Sequence, residues 1–417
     1  MRALERDAAW YFVGKACAAL GVFAAIPLTT RTLQTSALAD YALWSAAALW
    51  CSTAAVGWLQ TGIQRFHRER RHGDRFGDYL HTVRVALRIG AVVSAIVVGG
   101  AAALLSSLQW SAIAAIATLA GTNALYLGFQ ATTQADLAAK RVVAADVARG
   151  LALPLALVVV VACDAASVAM MTAAQALGLL AAVALLAVGS PRSASDARVR
   201  LAELRSLARY GLPLGLWLVT TLASAQLGRV ALELAGTPDA LAAYAAFHDV
   251  VVKAGTLVLM PIVYAVHGHV MASWADGDRM AVARSLKRAL LLQGAAGLVL
   301  VLGFTISAPL MEDVLFGAHP PNAGSTIALV GTLALGVAAA NLGLLAHKGL
   351  EIGQRTPTML GLAAFALATN GVLCLVLVPC FGALGAAFAY LVAQLVYAAL
   401  AHVCSRRTLA ELLARSA

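Results

Sequence analysis

The sequence predicts an all-α polytopic membrane protein with about twelve transmembrane helices in two six-helix lobes. Three observations predict it. Of its 417 residues, 61% are apolar and 12% charged, and the mean hydropathy is +0.83. A soluble domain sits nearer about 45–50% apolar and about 25% charged. Apolar runs recur at the length that crosses a bilayer, about 20 residues at ~1.5 Å each. One long polar stretch, 190–206, divides those runs six and six. The expected organisation is an N-terminal lobe over 1–190, a linker over 191–206, a C-terminal lobe over 207–404 and a tail over 405–417.

In order, the expected spans are 8–29, 38–62, 79–105, 109–134, 144–162 and 166–189, then 207–233, 241–266, 281–307, 324–346, 358–378 and 383–404. The first resembles a signal peptide at its start. Lys15 would interrupt the apolar core of such a peptide, and the apolar run continues to Leu28, so it reads as a retained span. Trp58 fits an interface position in the second span, while Trp50 lies mid-span, where packing is the default. The last two spans are joined by Pro379-Cys380-Phe381-Gly382, a turn signal between two apolar runs. Gly382, Gly385, Ala386 and Ala387 open the returning helix, where small residues allow close backbone approach. The six cysteines lie in or beside spans without a C-x-x-C pair and read as packing residues.

The loops fix orientation. Eighteen basic residues lie in the loops after even-numbered spans or open the span that follows, including Arg65, Arg70, Arg71, Arg192, Arg200 and Arg205, and only Arg31 follows an odd-numbered one. The positive-inside rule places both termini in the cytoplasm. The net charge of +10 is therefore a topology signal and an anchor to anionic headgroups, and nucleic acid is not an expected partner. No P-loop motif, H-E-x-x-H or paired Cys/His spacing occurs, so neither an ATP site nor a metal site is expected. No cofactor and no enzymatic activity are expected either. The restart at Tyr210-Gly211 parallels Tyr11 and Gly14, and Asp40-Tyr41-Ala42 parallels Ala242-Ala243-Tyr244. Six spans per half is an even number, so the halves are expected to relate as a parallel repeat.

The order N-x8-P-x-F-G-x-x-G-A-A-x-A, formed by Asn370, Pro379, Phe381, Gly382, Gly385, Ala386, Ala387 and Ala389, resembles the penultimate loop of bacterial polysaccharide and O-antigen flippases. These Wzx-type proteins are the polysaccharide transporter branch of the multidrug/oligosaccharidyl-lipid/polysaccharide (MOP) exporter superfamily. Thr30-Arg31-Thr32-Leu33 with Asp40-Tyr41-Ala42-Leu43, Tyr210-Gly211-Leu212-Pro213-Leu214, and Leu315-Phe316-Gly317 are similar to further stretches of that family. The resemblance implies the MATE/lipid flippase fold, with two lobes around a central cavity lined by spans 1, 2, 7 and 8. It also implies an undecaprenyl-diphosphate-linked oligosaccharide as substrate, the bacterial inner membrane as location, and membrane lipids and the polysaccharide polymerase machinery as partners.

Beyond those counted with the loops, six basic residues remain inside spans: Lys15, Arg84, Arg88, Arg149, Arg229 and Lys253. A charge at mid-bilayer costs roughly 2.5–3.5 kcal/mol on insertion scales, so each must face a wet cavity, pair, or snorkel. Lys15 lies ~10 Å into the first span and is read as cavity-facing. Arg84 and Arg88 are one turn apart near an inner end and are read as snorkelling. Arg149 has Asp146 at i−3 and is open to a surface or interhelical pair as well as to a site, while Arg229 can pair with Glu233 at i+4. Lys253 lies ~18 Å from the outer end of its span, with Asp249 one turn earlier and His248 beside it. The expected substrate-binding residues are Lys15, Arg149, Arg229 and Lys253; Asp249, Glu233 and His248 are candidates for ion or proton coupling. His267 and His269 are expected at the interface without a role.

A basic cavity suits an anionic diphosphate and a polar glycan, which favours a flippase working by alternating access without ATP hydrolysis. An ion-coupled multidrug exporter of the same superfamily is the alternative. A membrane polymerase or glycosyltransferase is disfavoured because no outer loop is long enough for a catalytic site, the longest being about 308–323.

Overall fold

The computed structural model describes residues 2–71, 73, 75–136, 138–188, 197–317 and 324–414. The regular secondary structure of these residues is helical, without strands. The elements are α1 (Arg2–Thr32), α2 (Thr35–Arg71), α3 (Phe76–Leu105), α4 (Trp110–Ala135), α5 (Ala139–Ala162), α6 (Val168–Val188), α7 (Leu201–Leu234), α8 (Pro238–Ala275), α9 (Arg279–Phe316), α10 (Thr326–Ala346), α11 (Lys348–Ile352) and α12 (Thr356–Ala414).

Ten of these helices are long and apolar enough to cross a membrane. The last of the ten is two spans. At 59 residues, α12 would measure ~88 Å as a straight rod, nearly three times the hydrocarbon thickness of a bilayer. It breaks at Gly382, whose φ of 53° and ψ of −128° lie outside the helical region and are open to glycine alone at low cost. The returning helix then starts hard against the outgoing one: a Cβ on Gly385 would overlap the Leu377 carbonyl oxygen. The expected seventh span falls short on composition. Helix α7 has 34 residues, but Thr220, Thr221, Ser224 and Gln226 dilute its apolar run, and it is not among the ten.

The chain forms two compact units, Met1–Val219 and Thr220–Ala417, dividing within α7. The linker residues 191–196 and the tail residues 415–417 lie outside the described residues. In the first unit α4 is central and packs on α2, α3 and α6, while α1 runs along α5 and α5 along α6. Helices α1 and α5 approach with almost nothing between their backbones. A Cβ on Gly150 would come 2.6 Å from the Cys17 carbonyl oxygen, so only glycine permits this spacing. Leu59, Ile63, Tyr79, Val83 and Leu87 form one core cluster, and Trp44, Ile116, Leu179 and Leu186 another. In the second unit α10 is central and packs on α8, α9 and α12. Phe247 of α8 meets Phe316 of α9 edge to face at 5.7 Å.

The outside is as apolar as the inside. Ile89, Val92, Val93, Ile96 and Val97 of α3 and Leu291, Leu298, Val299, Leu302 and Ile306 of α9 are all exposed. On a soluble protein such bands would drive aggregation; on a bilayer-spanning helix they are the lipid-facing surface. Trp58 is not free in an interface belt. Its indole donates to the Ala55 carbonyl at 2.9 Å, and its backbone packs against Gly211 and Gly215 of α7.

Candidate functional site: two buried charge clusters

Each unit buries polar side chains around one carboxylate. In the first unit that carboxylate is Asp146 of α5, which is 1% exposed. Lys15 of α1 reaches it at 2.9 Å, and the Tyr126 hydroxyl of α4 donates to it at 2.5 Å. Gln130, one turn along α4, donates to the same hydroxyl at 2.9 Å. Arg149 lies over the Tyr126 ring, its guanidinium carbon 5.2 Å from the centroid. Three helices thus contribute, and the spacing that brings α1 and α5 together is the Gly150 approach described above. Arg149 sits one turn from Asp146, yet no pair between them is seen among the described residues. The pair is instead made across helices to Lys15, and Arg149 takes the aromatic face. Half of the Lys15 side chain remains exposed, so this cation keeps access to whatever lies beside it.

In the second unit the carboxylate is Asp249 of α8. Arg229 of α7, 3% exposed, donates to Oδ1, and Lys253 stands 3.7 Å from Oδ2. His248 borders the same carboxylate, its Nδ1 3.9 Å from Asp249 Oδ1. Its ring stacks on Tyr244 at 5.4 Å, meets Tyr390 edge-on at 5.9 Å, and puts Nδ1 3.4 Å from Arg229. Its Nε2 and the Tyr244 hydroxyl are buried without a hydrogen-bond partner among the described residues. The expected Arg229–Glu233 pair does not form. Glu233 is exposed near the end of α7, while Arg229 turns inward to the acid of the neighbouring helix. Of the residues proposed for coupling, Asp249 and His248 are in this cluster and Glu233 is not.

Both clusters have the same plan. Each holds one carboxylate, two basic side chains and a tyrosine: both bases reach Asp249 in the second unit, while in the first Lys15 reaches Asp146 and Arg149 lies over the tyrosine that donates to it. Tyr126, Gln130 and Tyr390 escaped the sequence reading, which named Tyr244 only as part of a repeat. A signal existed for α4: Asn123, Tyr126, Gln130 and Thr133 recur at helical spacing and are all buried, a polar stripe on an otherwise apolar helix.

No protein-family model matches the chain, and no curated protein matches it. Solved structures do. An inward-facing multidrug resistance MATE family transporter of the MOP superfamily superposes with a TM-score of 0.73 at 13% identity, over 98% of this chain and 96% of that one. An outward-facing structure of such a transporter gives 0.68 at 14% identity, over 98% and 96%. A MOP superfamily transporter from Pyrococcus furiosus, for which a reversed binding-pocket polarity suggests a different function, gives 0.69 at 14% identity, over 98% and 96%. The chain has the MATE fold.

Each unit's second helix also carries a similar polar tie in its C-terminal part. In the first unit, His67 of α2 meets Asp136, just after α4, at 3.1 Å, and Arg71 reaches the same oxygen at 2.9 Å. In the second, His267 of α8 meets Glu351 of α11, just after α10, at 3.1 Å. Lys348 grips that carboxylate at 2.7 Å and His347 at 2.8 Å, with the Tyr397 hydroxyl 2.8 Å from His347. His267, expected at the interface without a role, is thus tied to Glu351. Among the described residues no group of three or more His, Cys, Asp or Glu is arranged to hold a metal, and all six cysteines are free thiols.

Proposed function

We propose that this chain is a flippase that carries an undecaprenyl-diphosphate-linked oligosaccharide across the bacterial inner membrane by alternating access, for assembly of surface polysaccharide. One observation carries the reading: each unit holds two basic side chains within the spans against a single carboxylate, Lys15 on Asp146 with Arg149 over the adjoining Tyr126 ring, and Arg229 and Lys253 on Asp249. Lys15 and Lys253 keep part of their side chains exposed. A diphosphate is a doubly anionic group that leaves water only if charged donors replace its solvation, which Lys and Arg side chains do well. An exporter of cationic drugs needs the opposite balance, an acid with few basic neighbours. The fold is shared with multidrug transporters, so that exporter is the second reading. The sequence carries no P-loop, and the free energy for transport would come from an ion gradient, the membrane potential or consumption of the product on the far side.

Deleting the gene tests both readings at once. A flippase mutant accumulates lipid-linked repeat units on the cytoplasmic side and loses its surface polysaccharide. A strain that keeps its polysaccharide and becomes drug-sensitive supports the exporter and overturns the flippase.

A further inference from the structure

The first unit holds a cavity of about 300 Å³ lined by Arg84, Leu87, Arg88, Leu125, Phe129 and Ala187, none of them a member of its charge cluster. We infer that it is a binding site for one anionic phospholipid, with the phosphate held by Arg84 and Arg88 and the start of an acyl chain laid along Leu125 and Phe129.

The two arginines are one turn apart on α3, so they share a face and repel each other. An anion set between them turns that repulsion into two charge-assisted contacts. Their depth along the helix matches a phosphate. The exposed apolar band of α3 begins at Ile89, directly after Arg88, and continues through Val92, Val93, Ile96 and Val97. Arg84 and Arg88 therefore sit at the edge of the lipid-facing surface, and α3 enters that edge from the end that carries the basic loop 65–75. The rest of the lining is apolar: Leu125 and Phe129 come from the last part of α4, and Ala187 from the last turn of α6. A basic rim over an apolar floor fits a headgroup with its chain attached, and a free anion would leave the floor empty. The site rests on residues of α3, α4 and α6 alone and does not depend on the transport reading.

Native mass spectrometry of the full-length protein, purified in detergent, tests the site with three added probes: phosphatidylglycerol, phosphatidylcholine and inorganic phosphate. One phosphatidylglycerol should stay bound under activation that strips phosphatidylcholine, and inorganic phosphate should not displace it. The double variant Arg84→Gln, Arg88→Gln should lower that occupancy by about tenfold or more, and Arg84→Lys, Arg88→Lys should retain most of it. Leu125→Trp keeps both charges and fills the floor. It should also lose the bound lipid, which keeps the test open if the charge variant fails to fold. Equal retention of phosphatidylcholine, displacement by inorganic phosphate, or undiminished binding in either variant would overturn the inference. Preferential displacement by a polyprenyl diphosphate would reassign the site to transported lipid and also overturn it.

Discussion

At the scale of single residues, the two clusters divide their work by burial. Arg229 is 3% exposed, whereas Lys253 is 35% exposed, yet both lean on Asp249. Removing Asp249 leaves a buried guanidinium without its carboxylate, and breaking a buried pair from one side costs about 3–5 kcal/mol. Removing Lys253 leaves an acid that Arg229 still holds, so the stability cost should stay within about 1 kcal/mol, as for exposed pairs. Asp249→Ala should therefore lower the melting temperature in detergent and the amount of protein in the membrane. Lys253→Ala should leave both nearly unchanged and abolish export, with Lys253→Arg retaining part of it. Equal destabilisation by the two would show that Lys253 is a structural partner and not a substrate contact. The residues of these clusters were only partly legible in sequence. Lys15, Arg149, Arg229, Lys253 and Asp249 stood out as charges in apolar runs. The pairings between them did not, because helical spacing reports neighbours on one helix and the pairs Lys15–Asp146 and Arg229–Asp249 join different helices. Tyr126 and Gln130 carry no charge and so raise no alarm in an apolar span.

At the scale of elements, the closing hairpin was the most legible part of the chain. A turn of the Pro379–Gly382 type between two apolar runs has few alternatives in a bilayer, since broken helical hydrogen bonds need water. The structure breaks α12 at Gly382 and packs Gly385 against Leu377. Gly385→Val should force the two arms apart. A clash with backbone cannot be relieved by a rotamer change, so the cost should exceed the roughly 1–3 kcal/mol of ordinary overpacking. Western blots of membranes should show little protein, while Gly361→Ala, where a Cβ meets nothing within 4 Å, should accumulate normally. Normal levels of Gly385→Val would mean that the hairpin is looser than the close approach implies. Short α11 was illegible: five residues carrying Lys348 and Glu351 read as a loop, and only the contacts to His267 and His347 reveal its role.

At the scale of the whole molecule, the sequence pattern and the structure meet on a repeated plan. Each unit has its carboxylate cluster within the spans and its histidine–acid tie in the C-terminal part of the second helix. The boundary between the units, inside α7, was not legible as such, because the polar stretch that marks a linker in sequence precedes the point where contacts change hands. Orientation in the membrane rests on charge. Eighteen basic residues on or beside one set of loops against Arg31 on the other set is far more asymmetry than insertion requires, since each basic residue near an anionic surface contributes about 1 kcal/mol. Both histidine–acid ties lie at the end that carries those basic loops, so they should face the cytoplasm. Alkaline phosphatase, which folds only outside, should be active when fused after Gly382 and inactive when fused after Arg71. A fluorescent protein that matures only in the cytoplasm should give the reverse pattern at the same two positions. Activity after Arg71 with silence after Gly382 would invert the molecule. The two arginines of the lipid site would then lie in the outer leaflet, and the basic loops would face away from the cytoplasm, against the rule that assigned them.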